Sequence, residues 1–296
     1  MTLTPAAEYQ RLLAPALRQA GIPRSPEQAR PIRLGENAIL SLSGLVARIS
    51  RPGQARAAHR EVAIARWLAT QGLPVVTPLD VDQPIIIDNR AITFWEELPE
   101  HGPGTVEDVA HLLRTLHALP VPDHLNLGRL DPFVRLPQRI DDAVGLSNAD
   151  VVWLRGRLAE LREEWKALPT GLRHTVVHGD AWTGNVARYA RGALLLDLER
   201  CSVGPPEWDL VSTAMKTHSV PWLPESEYRR FVEVYGGDDV RAWLGFPTLR
   251  NIRELRMALY FVQHSSRENM RTEAQLRIDC LRGRRGVRPW PWKPAT

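Results

Sequence analysis

The densest cluster of reactive side chains constrains this chain most: residues 176–185 read Val-Val-His-Gly-Asp-Ala-Trp-Thr-Gly-Asn, and seventeen residues after Asp180 an apolar run, Leu194-Leu195-Leu196, ends in Asp197-Leu198-Glu199. Charged and amide groups in this number are costly to bury unpaired, so the pattern calls for short buried strands whose ends and loops carry the polar groups. In an extended chain, side chains two apart share a face, so Asp197 and Glu199 are expected to project together from the strand end. Carboxylates there, beside a loop carboxylate and an amide, suit a magnesium ion, which takes one or two side-chain oxygens and completes its octahedron with phosphates and water. Asn185 and Asp197 fit that role. Asp180 is then left to orient an acceptor hydroxyl and take its proton, contributing more by position than by basicity.

The remaining pattern divides in two. The spacing predicts a helix over 5–20, a hairpin of 38–42 and 45–49 around Ser43-Gly44, a helix over 57–70 and a second strand pair, 84–88 and 91–95, around Asn89-Arg90. A stretch with Gly102, Pro103 and Gly104 has the composition of a linker. Beyond it come helices over 105–119 and 148–168 with a Pro-rich connection between them, then short strands at 175–178, 185–189 and 193–198, then helices from Asp209 onward. The expected architecture is α+β: residues 1–98 form a small antiparallel-sheet lobe, and 99–296 form a larger, mainly helical lobe.

Composition narrows the class. The 296 residues are 44% hydrophobic and 24% charged, an ordinary globular balance, and no apolar run reaches the roughly 18–20 residues needed to span a bilayer. Glu8 and Arg11 interrupt the apolar core that a secretory signal requires, so a cytoplasmic protein without a membrane partner is expected. Two isolated cysteines, Cys201 and Cys280, give neither a disulfide framework nor a zinc site. The formal charge of +4 is spread among acids, which suits a nucleotide ligand and argues against nucleic acid as a partner.

His178-Gly179-Asp180, Asn185 and Asp197-Leu198-Glu199, followed by Gly204-Pro205-Pro206 and Asp209-Leu210, resemble the core of the aminoglycoside phosphotransferases, relatives of choline kinases and protein kinases. The resemblance implies a bilobal protein-kinase-like fold and transfer of the γ-phosphate of ATP or GTP to a hydroxyl of a small molecule. It places Asp180 at the acceptor hydroxyl, Asn185 and Asp197 at the magnesium ion, and Asp209 behind the catalytic loop. His178 is expected to brace that loop. The alternative is a catalytically inactive kinase-like module that binds nucleotide or a partner.

A kinase-like small lobe also requires a strand cation for the α- and β-phosphates and an acid on the next helix to fix it. Arg48 and Glu61 match. Lysine is the usual cation, but the only lysines are Lys166, Lys216 and Lys293, so the task falls to arginine, whose planar fork bridges phosphate and carboxylate. The phosphate-covering loop, 34–38, lacks the GxGxxG pattern, and no GxxxxGK[ST] loop occurs. Phe94, Trp95, Glu96 and Glu97 stand where the resemblance puts the adenine-binding hinge. His117 reads as a helix-end residue favoured by the dipole. Trp182 is a candidate wall of the acceptor pocket. The arginines at 282, 284, 285 and 288 read as a solvated face, with tryptophans pinning the tail. From Arg250 to Trp290 ten arginines face four acids, a balance better suited to a neutral or anionic hydroxylated acceptor than to a polycation.

Overall fold

The computed structural model of the protein describes residues 5–35 and 37–294, with backbone alone for 5–7. Glu36, in the predicted phosphate-covering loop, lies outside the described residues. In chain order the elements are α1 (Pro5–Gln19), β1 (Arg30–Leu34), β2 (Ala38–Ser41), β3 (Leu45–Pro52), α2 (Ala55–Thr70), β4 (Ile85–Ile87), β5 (Arg90–Glu96), β6 (Gly102–Pro103), α3 (Val106–Ala118), α4 (Leu136–Asp141) and α5 (Asn148–Lys166). They continue with β7 (Thr175–Val177), β8 (Val186–Tyr189), β9 (Gly192–Leu195), β10 (Ser202–Gly204), α6 (Glu207–His218), α7 (Glu225–Tyr235), α8 (Phe246–Gln263) and α9 (Glu268–Leu281). Two compact units result. One holds the described residues up to Asp108 with Leu119–Gly128 and Thr183–Cys201; the other holds Val109–Ala118, Arg129–Trp182 and the described residues from Ser202 onward.

In the first unit an antiparallel sheet runs β1-β2-β3-β5-β4. Its two tight hairpins have the turn chemistry their sequences demand. Ser43 and Gly44 (φ 43° and 91°) join β2 to β3, and Asp88 and Asn89 (φ 49° and 61°) join β4 to β5, one residue earlier than the spacing suggested. The alternating apolar faces of β2 and β3, with Ile92 and Phe94 of β5, bury against Leu12, Leu13, Ala16 and Leu17 of α1. A second sheet, β6-β8-β9, belongs to the same unit. Gly102 and Pro103, read from composition as linker, are therefore strand residues paired with Arg188 and Ala187.

The second unit is largely helical, with the two-stranded β7-β10 ribbon inside it. Packed together are α8 with α9, α4 with α8, α5 with α8 and α6 with α8, so α8 is the common element. Its apolar face, including Leu249, Ile252, Leu255 and Leu259, is buried. The unpatterned connection between α3 and α5 contains α4, with Leu136 and Ile140 in the core.

The C-terminal segment is pinned by aromatic and ionic contacts. Trp290 and Trp292 are buried and stacked at 5.0 Å, and Trp222 Nε1 donates to the Trp292 carbonyl at 2.7 Å. Each arginine of the basic cluster pairs with an acid: Arg282 with Asp150, Arg284 and Arg285 with Asp279, and Arg288 with the buried Glu254. Among the described residues no helix is long and apolar enough to cross a membrane.

Candidate active site

Each unit carries part of the predicted constellation. In the first, Arg48 stands on β3 and Glu61 on α2, and Arg48 Nη1 donates to both carboxylate oxygens of Glu61. The other end of the guanidinium, Nη2, reaches Glu199 Oε2 at 2.9 Å. Arginine's fork is what permits this: one cation on a central strand is gripped from two directions, which the point charge of a lysine cannot reproduce. Neighbouring Arg60 fastens the same turn to α2, donating from Nη2 to the Glu199 carbonyl at 2.6 Å.

Asn185 and Asp197 sit at one end of the β8-β9 hairpin. Its register closes with Val186 opposite Leu195, and the next bond, Leu196 N–H to the Asn185 carbonyl at 2.9 Å, brings the two flanking segments together. Here the expectation for the acids needs correction. The strand ends at Leu195, Asp197 adopts the left-handed conformation (φ 55°, ψ 65°), and Leu198–Arg200 form a single 3₁₀ turn, so Asp197 and Glu199 do not share a strand face. Beyond the end of β8 the chain has no ladder partner and turns, which sends Glu199 to Arg48 instead.

Electrostatically the cluster is rich in acid. Burial opposes the charge of Arg48, but Glu61, Asp197 and Glu199 outweigh it and raise its pKa. Burial pushes the Glu61 carboxyl up to about 7; Asp197 and Glu199 add to the push and Arg48 opposes it. Three carboxylates around one guanidinium leave negative charge over, and the oxygens of Asn185 and Asp197 are hard donors of the kind magnesium takes in small number. Among the described residues no group of three or more His, Cys, Asp or Glu gathers as a metal cage.

An expected outcome follows. Arg48→Met leaves Glu61 buried with neighbouring negative charge, and breaking such a pair costs about 3 kcal/mol. Because the folded pKa of Glu61 lies above its ordinary value of 4.5, the folded protein binds the extra proton between about 4.5 and 7, and stability falls as pH rises through that window. Removing Arg48 takes away the charge that opposes this rise, so Glu61 of the variant keeps its proton to higher pH and the variant goes on losing stability above about 7, where wild type does not. Thermal melting of Arg48→Met is therefore expected to show a larger deficit at pH 8 than at pH 6.

Of the segment expected to read adenine, Phe94 and Trp95 are buried on β5. The Phe94 N–H donates to Gln83 Oε1 at 2.7 Å, and the Glu96 N–H to the Thr77 carbonyl at 2.9 Å. The exposed Glu97 caps the first hairpin: its carboxylate accepts from Ser41 Oγ and from the Gly44 N–H.

The second unit holds Asp180 on the loop after β7. That loop is fastened to the first turn of α6. Asp209, 0% exposed, accepts the His178 N–H at 2.7 Å and the Gly179 N–H at 2.8 Å, while Trp208 Nε1 donates to the Gly179 carbonyl at 3.0 Å. Gly179 takes φ +84°, a conformation that strains any other residue, and the Asp180 N–H turns back to His178 Nδ1 at 3.3 Å. His178 thus holds the loop from within, as the sequence suggested.

His117 is more than a helix-end residue. Its Nε2 donates to Asp209 at 3.1 Å, and its Nδ1 is hydrogen-bonded to the Tyr235 hydroxyl at 2.9 Å. Burial opposes the charge of Asp209, yet the hydrogen bond and charge of His117, with His178 and Arg253 adding, hold its carboxyl below the usual range. Arg253, buried on α8, donates to the Trp208 carbonyl and lies 4.1 Å from the centre of its ring. Sequence reading missed His117, Tyr235 and Arg253, because no local spacing announces contacts made from such distant positions.

Comparison with known proteins agrees with this architecture. Residues 33–246 match the model of a phosphotransferase enzyme family. An aminoglycoside 3'-phosphotransferase of Streptomyces fradiae is 30% identical over 188 residues, 60% of this chain; the match spans 63% of that relative, less than two thirds of its length. Among solved structures, an amicoumacin kinase in complex with AMP-PNP, Ca²⁺ and Ami superposes with a TM-score of 0.73 at 15% identity, covering 96% of each chain. A spectinomycin phosphotransferase bound to ADP and spectinomycin gives 0.63 at 14% identity, covering 92% of this chain and 93% of the other. The α+β fold is thus that of the kinase-like small-molecule phosphotransferases. The chain belongs to the phosphotransferase enzyme family.

Proposed function

We propose that the protein is a magnesium-dependent phosphotransferase that moves the γ-phosphate of ATP or GTP to a hydroxyl group of a small molecule. The observation that carries this reading is Arg48, a guanidinium fixed on a central strand by Glu61 and Glu199, where a phosphate-holding cation is required. Arg48 contacts the α- and β-phosphates. Asn185 and Asp197 hold the magnesium ion, which when bound neutralises charge on the phosphates. Adenine or guanine lies along Phe94, Trp95, Glu96 and Glu97, read by backbone groups other than the engaged N–H groups of Phe94, Glu96 and Glu97 and the engaged Phe94 carbonyl.

Asp180 accepts a hydrogen bond from the acceptor hydroxyl and aligns its oxygen. As the bond from that oxygen to the γ-phosphorus forms, the bond to the β–γ bridging oxygen breaks, the hydroxyl proton passes to Asp180 and the nucleoside diphosphate leaves. A loop held by Asp209, Trp208 and His178 gives Asp180 a fixed position, on which positional catalysis depends.

The test is a screen of hydroxyl compounds, read by nucleoside diphosphate release with ATP or GTP and with or without magnesium. Acceptor-stimulated, magnesium-dependent release is expected; release indifferent to both acceptor and metal contradicts the reading. Asp197→Ala is expected to reduce turnover at least ~100-fold, with cooperative melting retained, by removing charge stabilisation of the transferring phosphate. A variant that keeps wild-type turnover at limiting magnesium removes Asp197 from the metal.

A further inference from the structure

Lys216 on α6 takes no part in the functions assigned above. Its side chain is half-buried, and its ammonium lies over the indole of Trp182, 5.4 Å from the ring centre. Among the described residues it makes no ion pair. Trp182, two residues after Asp180, is 44% exposed, more than any other tryptophan among the described residues. The charges felt at Lys216 are those of Asp180, on the loop, and Arg253, on α8. Together these groups form a flat apolar platform and a fixed cation beside the residue assigned to the acceptor hydroxyl.

We propose that Trp182 and Lys216 form an acceptor subsite in which the indole stacks on the body of the acceptor and the ammonium pairs with an anionic group on it, a carboxylate in the first instance. This deepens the phosphotransferase reading and rests on it. An acceptor carrying an ammonium at the same point meets a like charge at Lys216, with the Arg253 guanidinium adding to the repulsion, so the subsite discriminates against polycations. A carboxylate meets a cation held in place by its ring, at little further ordering cost.

The local electrostatics add a signature. Burial first, and Arg253 second, push the Lys216 pKa down to about 8, against the pull of Asp180. The ammonium is therefore charged at pH 7 and lost as pH rises through about 8. For an anionic acceptor, kcat/KM is expected to fall over that window, and Lys216→Arg, whose cation does not titrate there, is expected to remove the fall.

The test uses two matched sets of acceptors, a hexose and a nucleoside, each bearing a carboxylate, a carboxamide or an amine at one carbon. Binding is measured by calorimetry with AMP-PNP and magnesium, and transfer by labelled γ-phosphate. Wild type is expected to prefer carboxylate over carboxamide over amine in at least one set. Lys216→Gln is expected to weaken the carboxylate member about tenfold more than the carboxamide member, Lys216→Glu to reverse the order in favour of the amine, and Lys216→Arg to restore the wild-type order. Amine preference in wild type, an order unchanged in Lys216→Glu, or no binding by any member overturns the subsite. Asp180-dependent transfer to any member sustains the phosphotransferase reading whatever the order, so the two claims fail separately.

Discussion

Asp180→Ala is expected to lower kcat by about a thousandfold while leaving the melting temperature close to that of wild type. The residue stands partly exposed at the tip of its loop, and the contacts that shape the loop come from other groups: His178, Asp209 and Trp208. On the proposed mechanism its removal takes away the group that aligns the acceptor oxygen and receives its proton. Nucleotide affinity, which the proposed mechanism assigns to Arg48, Asn185 and Asp197, should change no more than a few-fold. Single-turnover kinetics with saturating acceptor, beside a binding titration with AMP-PNP, check both halves. Comparable losses in kcat and in nucleotide affinity would give Asp180 a different role.

Asp209→Ala should be the most damaging change that touches neither substrate. One carboxylate accepts two backbone N–H groups of the catalytic loop and the imidazole of His117, all in a fully buried setting. Hydrogen bonds to a charged group contribute about 1.5–3 kcal/mol each, so the loss is of order 4 kcal/mol, with three buried donors left unsatisfied. The loop that positions Asp180 then loosens, and kcat should fall by ~100-fold or more. Asp209→Asn is expected to help little, since its amide nitrogen faces a donor where the carboxylate offered an oxygen. Because the folded pKa of Asp209 is depressed, its contribution is present above the ordinary carboxylate range and is lost as pH falls through the folded value. The gap in melting temperature between wild type and variant should therefore narrow in acid, which thermal melts at pH 7 and pH 3 measure.

Much of this arrangement is legible along the chain wherever the physics is local. Ser43-Gly44 specifies its turn because both residues need positive φ, and the alternation in 38–42 and 45–49 sets the buried face of the hairpin. Arg48 and Glu61 could be paired by reasoning because a strand followed by a helix brings such residues within reach. The loop containing His178, Gly179 and Asp180 was recognisable from its composition, and the family membership agrees with that reading.

What escaped the sequence depended on partners far away in it. His117 and Asp209 are 92 residues apart, and nothing around either announces the other. Glu199 finds Arg48 across 151 residues, and does so because Asp197 turns left-handed where an unbroken strand was expected. The run Leu194 to Leu198 is apolar enough to read as a buried strand, but the ladder ends where β8 begins, at Val186 opposite Leu195. Gly102 and Pro103 show the converse: a composition that suggests a linker forms a strand because an edge was waiting for it.

The central claim, transfer of a terminal phosphate to a hydroxyl under the control of Asp180, is tested most directly by incubating the protein with γ-labelled nucleotide, magnesium and a library of hydroxyl compounds. Acid-stable label on one or a few acceptors, absent with Asp180→Ala and absent without magnesium, is the result predicted. Nucleotide bound tightly while no acceptor in the library becomes labelled, or labelling that Asp180→Ala leaves intact, would contradict it.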